Sequence, residues 1–235
     1  MNPKQTVAAV LLAAGRGRRM GGGENKVLRL LGDRPVLAYS MQALQRCSIV
    51  SSVVVVGRNE DFPKIEPLIK QYCPKAGGRF VEGGAERFDS VLCGLEACSE
   101  LQPDAVLIHD SARPFLEESF ILSSLEALDE KTGSVAGVPL KDTLKETDRS
   151  GFVMQTHQRD KFWLSQTPQT FRYSEILAAY RSCTPPPYPT DDGAVLEMQG
   201  GRIKMVEGSY LNMKLTTPED WLLAEAILQI RKETS

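Results

Sequence analysis

The chain has 235 residues, 42% of them hydrophobic and 25% charged, which is ordinary for a soluble globular protein and enough for one large domain with a full core. Its 28 basic and 30 acidic residues leave a formal net charge of −2, so no global field draws it to nucleic acid or to an anionic membrane, and any attraction for anions has to be local. No apolar run is long enough to span a bilayer, and five cysteines without a CxxC pair favour buried free thiols in a reducing cytoplasm over zinc or a disulfide framework.

The first apolar run, VAAVLLA (7–13), predicts a buried strand rather than a signal peptide, because it is short and leads straight into a glycine-arginine loop. PVLAYSMQALQRC (35–47) predicts a helix with Pro35 in its first turn. SSVVVVG (51–57) is a β-branched strand, KIEPLIKQYC (64–73) a short helix and RFVEGG (79–84) a strand ending in glycines. ERFDSVLCGLEAC (86–98) is helical, DAVLIHD (104–110) a strand, FILSSLEALDE (120–130) a helix and SVAGVPL (134–140) a strand. Strands apolar on both faces, alternating with helices, predict a parallel sheet covered on both sides. DTLKETDRSGFVMQTHQR (142–159) breaks this rhythm and predicts a β-hairpin with Asp148-Arg149-Ser150-Gly151 at its tip and no strong apolar face on either arm. An isolated hairpin is marginal in water, so the arm is expected to pack on a second copy of the chain. TPPPYPTDDGAVLEMQGG (184–201) is a Pro-rich loop and a short helix, with Thr190 as cap and Gly200 as stop. TTPEDWLLAEAILQI (216–230) is a terminal helix with Pro218 in its first turn.

The chemistry concentrates where strands end. After the first strand, Gly15-Arg16-Gly17-Arg18-Arg19-Met20 and three further glycines precede Lys26. The loop fails the dinucleotide pattern, since Met20 stands where the third glycine belongs, and it has no Gly-Lys-Ser or Gly-Lys-Thr of a P-loop. Backbone amides at Ala13, Ala14, Gly15 and Gly17, close to Arg16, Arg18, Arg19 and Lys26, still suit a polyphosphate; Arg16 and Arg18 fit a solvated basic loop equally well. In EGGAERFDS (82–90) free amides could read the edge of a base. In HDSARPF (109–115) Asp110 is a natural Mg²⁺ ligand, because Mg²⁺ takes one or two carboxylates plus phosphate oxygens; the same residue could instead cap a loop, and Arg113 could be a surface ion pair. His109 is expected to pack rather than react, and Lys214 closes the last predicted strand.

AAGRGRRM, NK, EGGAERFDSV, HDSARPF, VPLKDTLK, QTPQTF, TDDGAVLE and VEGSYLNMKLTTPED occur in order over essentially the whole chain. The set resembles the 2-C-methyl-D-erythritol 4-phosphate cytidylyltransferases of isoprenoid precursor synthesis. The resemblance implies a Rossmann-like α/β nucleotidyltransferase fold, mostly parallel with helices on both faces, in a single domain over 1–235. It implies a cytoplasmic homodimer with interlocking arms, acting on CTP and methylerythritol phosphate with Mg²⁺. It further implies that Ala13, Ala14, Gly15, Gly17 and Arg19 hold the triphosphate with Lys26 beside them, and that Gly84, Ala85 and Ser90 face cytosine. Asp110 would hold magnesium and Lys214 would reach the phosphates. Arg113 and Thr167 would line the acceptor side, while Thr143 and Arg159 of the partner's arm would bind the acceptor phosphate. Arg19, Lys26 and Lys214 are thereby the implied catalytic cations. Two departures stand out: Ala85 where many relatives carry Asp, and Asn25 where Pro often precedes the lysine. The glycine-rich loop is expected to order only with nucleotide, at a cost of about 1–2 kcal/mol per fixed residue. A pentitol-phosphate cytidylyltransferase using ribitol 5-phosphate shares the fold and chemistry; Asp142-Thr143 favours the methylerythritol enzyme. Ala85 alone encourages a guanylyl- or uridylyltransferase, and the converging cations argue against a silent nucleotide-binding dimer.

Overall fold

The structure, a computed structural model, describes residues 6–15, 25–74 and 77–233. β1 (Val7–Leu12) is followed by a short hairpin of β2 (Leu30–Leu31) and β3 (Arg34–Pro35), then α1 (Val36–Arg46). Next come β4 (Val50–Gly57), α2 (Phe62–Tyr72), β5 (Arg79–Glu82), α3 (Arg87–Ala97) and β6 (Ala105–Asp110). α4 (Glu118–Glu126) and β7 (Thr132–Pro139) lead into the hairpin β8 (Leu144–Thr147) and β9 (Val153–His157). β10 (Trp163–Arg172), α5 (Tyr173–Ser182), α6 (Asp192–Met198), β11 (Arg202–Glu207) and α7 (Pro218–Glu233) complete the chain.

Seven strands form one sheet in the order β11-β7-β10-β6-β1-β4-β5. All neighbours are parallel except that β10 runs antiparallel to both β6 and β7. The period of two along each strand divides the core. Val7, Ala9 and Leu11 of β1 pack with Val53, Val55 and Leu107 under α1, α2 and α4, represented by Leu37, Met41, Ile65 and Ile121. Ala8 and Val10 pack on the opposite face with Val54, Val56 and Ile108 under α3, α5 and α6, represented by Val91, Leu95, Ile176 and Val195. Each fully buried large aliphatic contributes about 1.5–3 kcal/mol by leaving water. Gly94 lets α3 lie on the sheet: a Cβ there would meet Val10 Cγ1 at 2.4 Å and Val56 Cγ2 at 2.8 Å. Four of the five cysteines are buried, and burial pushes Cys73 and Cys98 up to about 12.

Three expectations change. Asp191, not Thr190, caps α6, its carboxylate accepting from the Ala194 amide at 2.9 Å. Lys214 lies in the loop after β11, which ends at Glu207, and so does not close a strand. The arm is not poor in apolar surface: Phe152, Val153 and Met154 are 76%, 56% and 67% exposed, and Trp163 and Leu164 at its base are exposed too. Its turn is where the sequence puts it, with the Asp148 carboxylate accepting from the Ser150 and Phe152 amides and Gly151 at φ +87°.

Candidate active site

β1, β4, β5 and β6 are parallel, so their carboxyl ends share one edge. The chain reverses its direction of winding between β1 and β6, and ligands of open α/β sheets lie at such a switch point. A cleft of about 1280 Å³ opens there. Ala13, Ala14 and Gly15 line it, as do Lys26, Gly84, Ala85, Ser90, Asp110 and Lys214. The structure thus brings together these residues named from the sequence. Gly17 and Arg19, with the rest of the glycine-arginine loop and the expectation about its ordering, lie outside the described residues.

Each wall has a local cause. The Ala13 amide donates to the Val56 carbonyl at 2.7 Å, which prolongs the β1–β4 pairing into the loop. Asn25 caps a single 3₁₀ turn, Lys26–Leu28, and that turn presents Lys26. Lys26 Nζ reaches across the chain to the Leu215 carbonyl at 2.7 Å, so the first loop and the Lys214 loop are tied together. On the side expected to read a base, the amides are less free than the sequence suggests. Gly83 N donates to Gly57 O, Gly84 N to Ser90 Oγ at 3.2 Å and Glu86 N to Asp89 Oδ2. Between Gly83 and Glu86 only the Ala85 amide has no acceptor among the described residues. Glu86 and Asp89 form a reciprocal cap that fixes the start of α3, whose N-terminus faces the cleft.

Asp110 is the centre of charge. Lys214 Nζ donates to Oδ2 at 2.5 Å and Arg87 Nε to Oδ1 at 3.3 Å. Burial pushes this carboxyl up, but Arg87, Lys214 and Arg113 outweigh it and hold Asp110 well below the usual carboxylate range. Arg87 is itself gripped by Asp192, which is fully buried, through paired bonds of 2.8 and 2.7 Å. The Tyr180 hydroxyl donates to the same carboxylate at 2.5 Å, and Gln169 Oε1 accepts from the Asp192 amide. Arg87 and Asp192 stand in two of the sequence motifs, yet nothing in those motifs sets them apart. A buried Asp two residues after a predicted cap reads as part of the cap.

Thr167 and Arg113 are not among the residues lining the cleft. They lie behind Asp110, where β10 makes an irregularity between Ser165 and Gln169. Asp110 N donates to Thr167 Oγ1 at 3.1 Å, and that hydroxyl lies 3.0 Å from His109 Nδ1. His109 Nε2 faces the Arg113 carbonyl at 3.1 Å, so it must donate there. The pattern assigns a neutral ring with its proton on Nε2 and Nδ1 accepting from Thr167. Arg113 Nη1 donates to the Asn212 carbonyl. Thr143 and Arg159 sit exposed on the arm, and Arg159 bonds the Lys141 carbonyl; neither lines the cleft of its own chain.

Among the described residues, no group of three or more His, Cys, Asp or Glu side chains could hold a metal unaided. A lone carboxylate at a strand end instead matches Mg²⁺ that arrives with most of its oxygens supplied by phosphate and water. Each Asp110 oxygen makes one hydrogen bond to a cation and keeps a lone pair, so the donor set fits.

A family model described as IspD: 2-C-methyl-D-erythritol 4-phosphate cytidylyltransferase matches residues 7–230. A relative with that enzyme name from Syntrophotalea carbinolica is 41% identical over 226 residues, covering 95% of this chain and 96% of its own. One from Bacillus cereus is 37% identical over 225 residues, covering 95% and 98%. The solved 4-diphosphocytidyl-2C-methyl-D-erythritol synthase from Anaerococcus prevotii superposes with a TM-score of 0.83 at 32% identity over 96% of each chain. The Thermus thermophilus 2-C-methyl-D-erythritol 4-phosphate cytidylyltransferase does so with a TM-score of 0.74 at 29% identity, over 94% and 98%.

Proposed function

The chain belongs to the 2-C-methyl-D-erythritol 4-phosphate cytidylyltransferase family, and from that premise we propose that it transfers CMP from CTP to 2-C-methyl-D-erythritol 4-phosphate. The products are 4-diphosphocytidyl-2-C-methyl-D-erythritol and pyrophosphate, in isoprenoid precursor synthesis in the cytoplasm. The observation that carries this reading is the pairing of one carboxylate, Asp110, with Lys214 and Arg87 in a cleft lined by Ala13–Gly15 and by Lys26, whose Nζ is tied to the Lys214 loop through the Leu215 carbonyl.

The acceptor is a phosphate monoester with a second pKa near 6, so it is mostly dianionic at neutral pH and needs no general base. One of its oxygens forms a bond to the α-phosphorus of CTP, and the bond from that phosphorus to the bridging oxygen of the β-phosphate breaks. Both electrons of that bond leave with pyrophosphate. The obstacle is repulsion between two polyanions, and fixed cations lower it where charge accumulates. Lys26 approaches from the first loop and Lys214 from the opposite one, with Arg19 as a further cation. Asp192 holds Arg87 in place, so that arginine orients Asp110 rather than following the substrate. Asp110 would hold Mg²⁺, which when bound neutralises charge on the triphosphate. Ala13, Ala14, Gly15 and Gly17 cradle phosphates, while Gly84, Ala85 and Ser90 face the base. Arg113 and Thr167 act from behind Asp110 toward the acceptor side. Thr143 and Arg159 serve the acceptor phosphate of a partner subunit, a role supported by their exposure on the arm. The whole chain is read as one catalytic domain.

The test is ³¹P NMR of a mixture with CTP, Mg²⁺ and methylerythritol 4-phosphate. Equal amounts of pyrophosphate and a new diphosphate diester are expected. Release of inorganic phosphate, or no change with this acceptor while ribitol 5-phosphate reacts, would overturn the assignment.

A further inference from the structure

Asn25, the residue before Lys26, is buried and uses its side chain fully. It is 1% exposed, and its Nδ2 donates to the Ala13 carbonyl at 2.6 Å and to Asp61 Oδ2 at 2.9 Å. Its Oδ1 faces the Val27 amide at 3.4 Å. Asp61 is 6% exposed, and the same Oδ2 accepts from Arg58 Nε at 2.8 Å. Arg58, whose Nη1 also pairs with Glu60 at 2.5 Å, lines the cleft.

We propose that Arg58, Asp61 and Asn25 form a positioning relay that sets the phosphate loop and Lys26 from the β4–α2 turn. The proposal rests on the cleft being the nucleotide site. Three buried or half-buried polar groups are connected without a gap, and such a network is rigid only when every member is satisfied. The Ala13 carbonyl is the point of transfer. With that oxygen held by Asn25, the amides of Ala14 and Gly15 are presented to the cleft in one orientation, and Lys26 follows directly in the chain. A cleft-side load on Arg58, such as the ribose or base of the nucleotide, therefore reaches the residues that hold the phosphates. The relay orients other groups and does not touch the reacting atoms.

The experiment compares Asn25→Asp, Asp61→Asn and the double variant that carries both changes. Each is read by melting temperature, by calorimetric affinity for CTP with Mg²⁺, and by KM for each substrate against kcat. Asn25→Asp sets two carboxylates against each other and removes the donor to Ala13 O. We expect CTP affinity to fall at least tenfold and kcat to fall, with KM for the acceptor within twofold of the parent. In the double variant the amide and the carboxylate have changed places. The amide now at position 61 can donate to the carboxylate now at position 25, so the pair re-forms and the melting temperature recovers in part, while Arg58 Nε loses the oxygen it shared with Asn25. Ala13 O stays without its donor, so the CTP defect persists. Recovery of CTP affinity together with the melting temperature would overturn the relay and leave a merely structural pair, as would parental CTP affinity in Asn25→Asp alone. If the parent binds CTP but does not turn over, the assigned reaction fails while the affinity arm still decides the relay. If the parent binds no nucleotide, both fall.

Discussion

His109 is fully buried directly beneath Asp110, and its charge state is fixed by its neighbours. Burial pulls its pKa from 6.5 down to about 4; Arg113 and Lys214 act in the same direction, and the Arg113 carbonyl and Asp110 oppose them. The unfolded chain therefore binds the proton first. Between pH 6.5 and 4 the unfolded state holds more protons, so stability falls as the pH is lowered through that window, by about 3 kcal/mol for this group. Chemical denaturation of the metal-free protein at pH 7 and pH 4.5 is expected to show that loss, and His109→Gln to flatten it. A slope unchanged in the variant would assign it to other groups. Lys26 makes a different prediction, on chemistry rather than fold. Lys26→Ala is expected to lower kcat by about 10²–10³, the usual effect of removing one preorganised charge donor, with the melting temperature within a few degrees of the parent. Near-parental kcat in the folded variant would remove Lys26 from the mechanism. Asp110 was legible because a carboxylate at a strand end needs a reason to be there, and Lys26 because it follows a glycine-rich basic loop; Lys214, which ends no strand, was reached only through the resemblance. Asn25, Arg87 and Asp192 were not legible: their meaning lies in bonds to partners 12 to 105 positions away.

At the scale of elements, the apolar strands and the amphipathic helices were readable because burial imposes periods of 2 and 3.6. β10 was not. Gln166, Thr167, Gln169 and Thr170 are all buried polar residues of this strand, satisfied by tertiary hydrogen bonds, and so carry no apolar pattern. The same bonds place Thr167 under Asp110, so the least legible strand is the one that supports the centre of charge. The hairpin was legible from its turn, but its exposed apolar residues were undervalued. Phe152, Val153 and Met154 are consecutive and face water in the single chain. The proposed packing of a second copy of the chain on them would account for an otherwise costly surface. Phe152→Asp with Met154→Lys is expected to weaken self-association about tenfold per residue, since each burial is worth at least about 1.4 kcal/mol. Sedimentation velocity reads the outcome; a dimer of parental strength would move the interface elsewhere, and a monomeric parent would remove it.

For the whole molecule, the proposed sharing of a site between two copies makes a prediction that no single subunit can satisfy. Lys26 belongs to the cleft and Arg159 to the arm, and Arg159 does not line the cleft of its own chain. Two inactive variants, Lys26→Ala and Arg159→Ala, are expected to recover activity when mixed and allowed to re-pair. Random pairing makes half of the dimers mixed, with one good site in two, so about a quarter of the sites should work. No recovery after verified exchange would place both residues in one subunit's site. The most direct measurement of the function itself is pyrophosphate release with each of the four ribonucleoside triphosphates, offered in turn with methylerythritol 4-phosphate and with ribitol 5-phosphate. Release with CTP and methylerythritol 4-phosphate alone is the predicted result, and it would also show that Ala85 suffices for base recognition. Release with GTP or UTP, or only with ribitol 5-phosphate, or with no pair, would contradict the assignment.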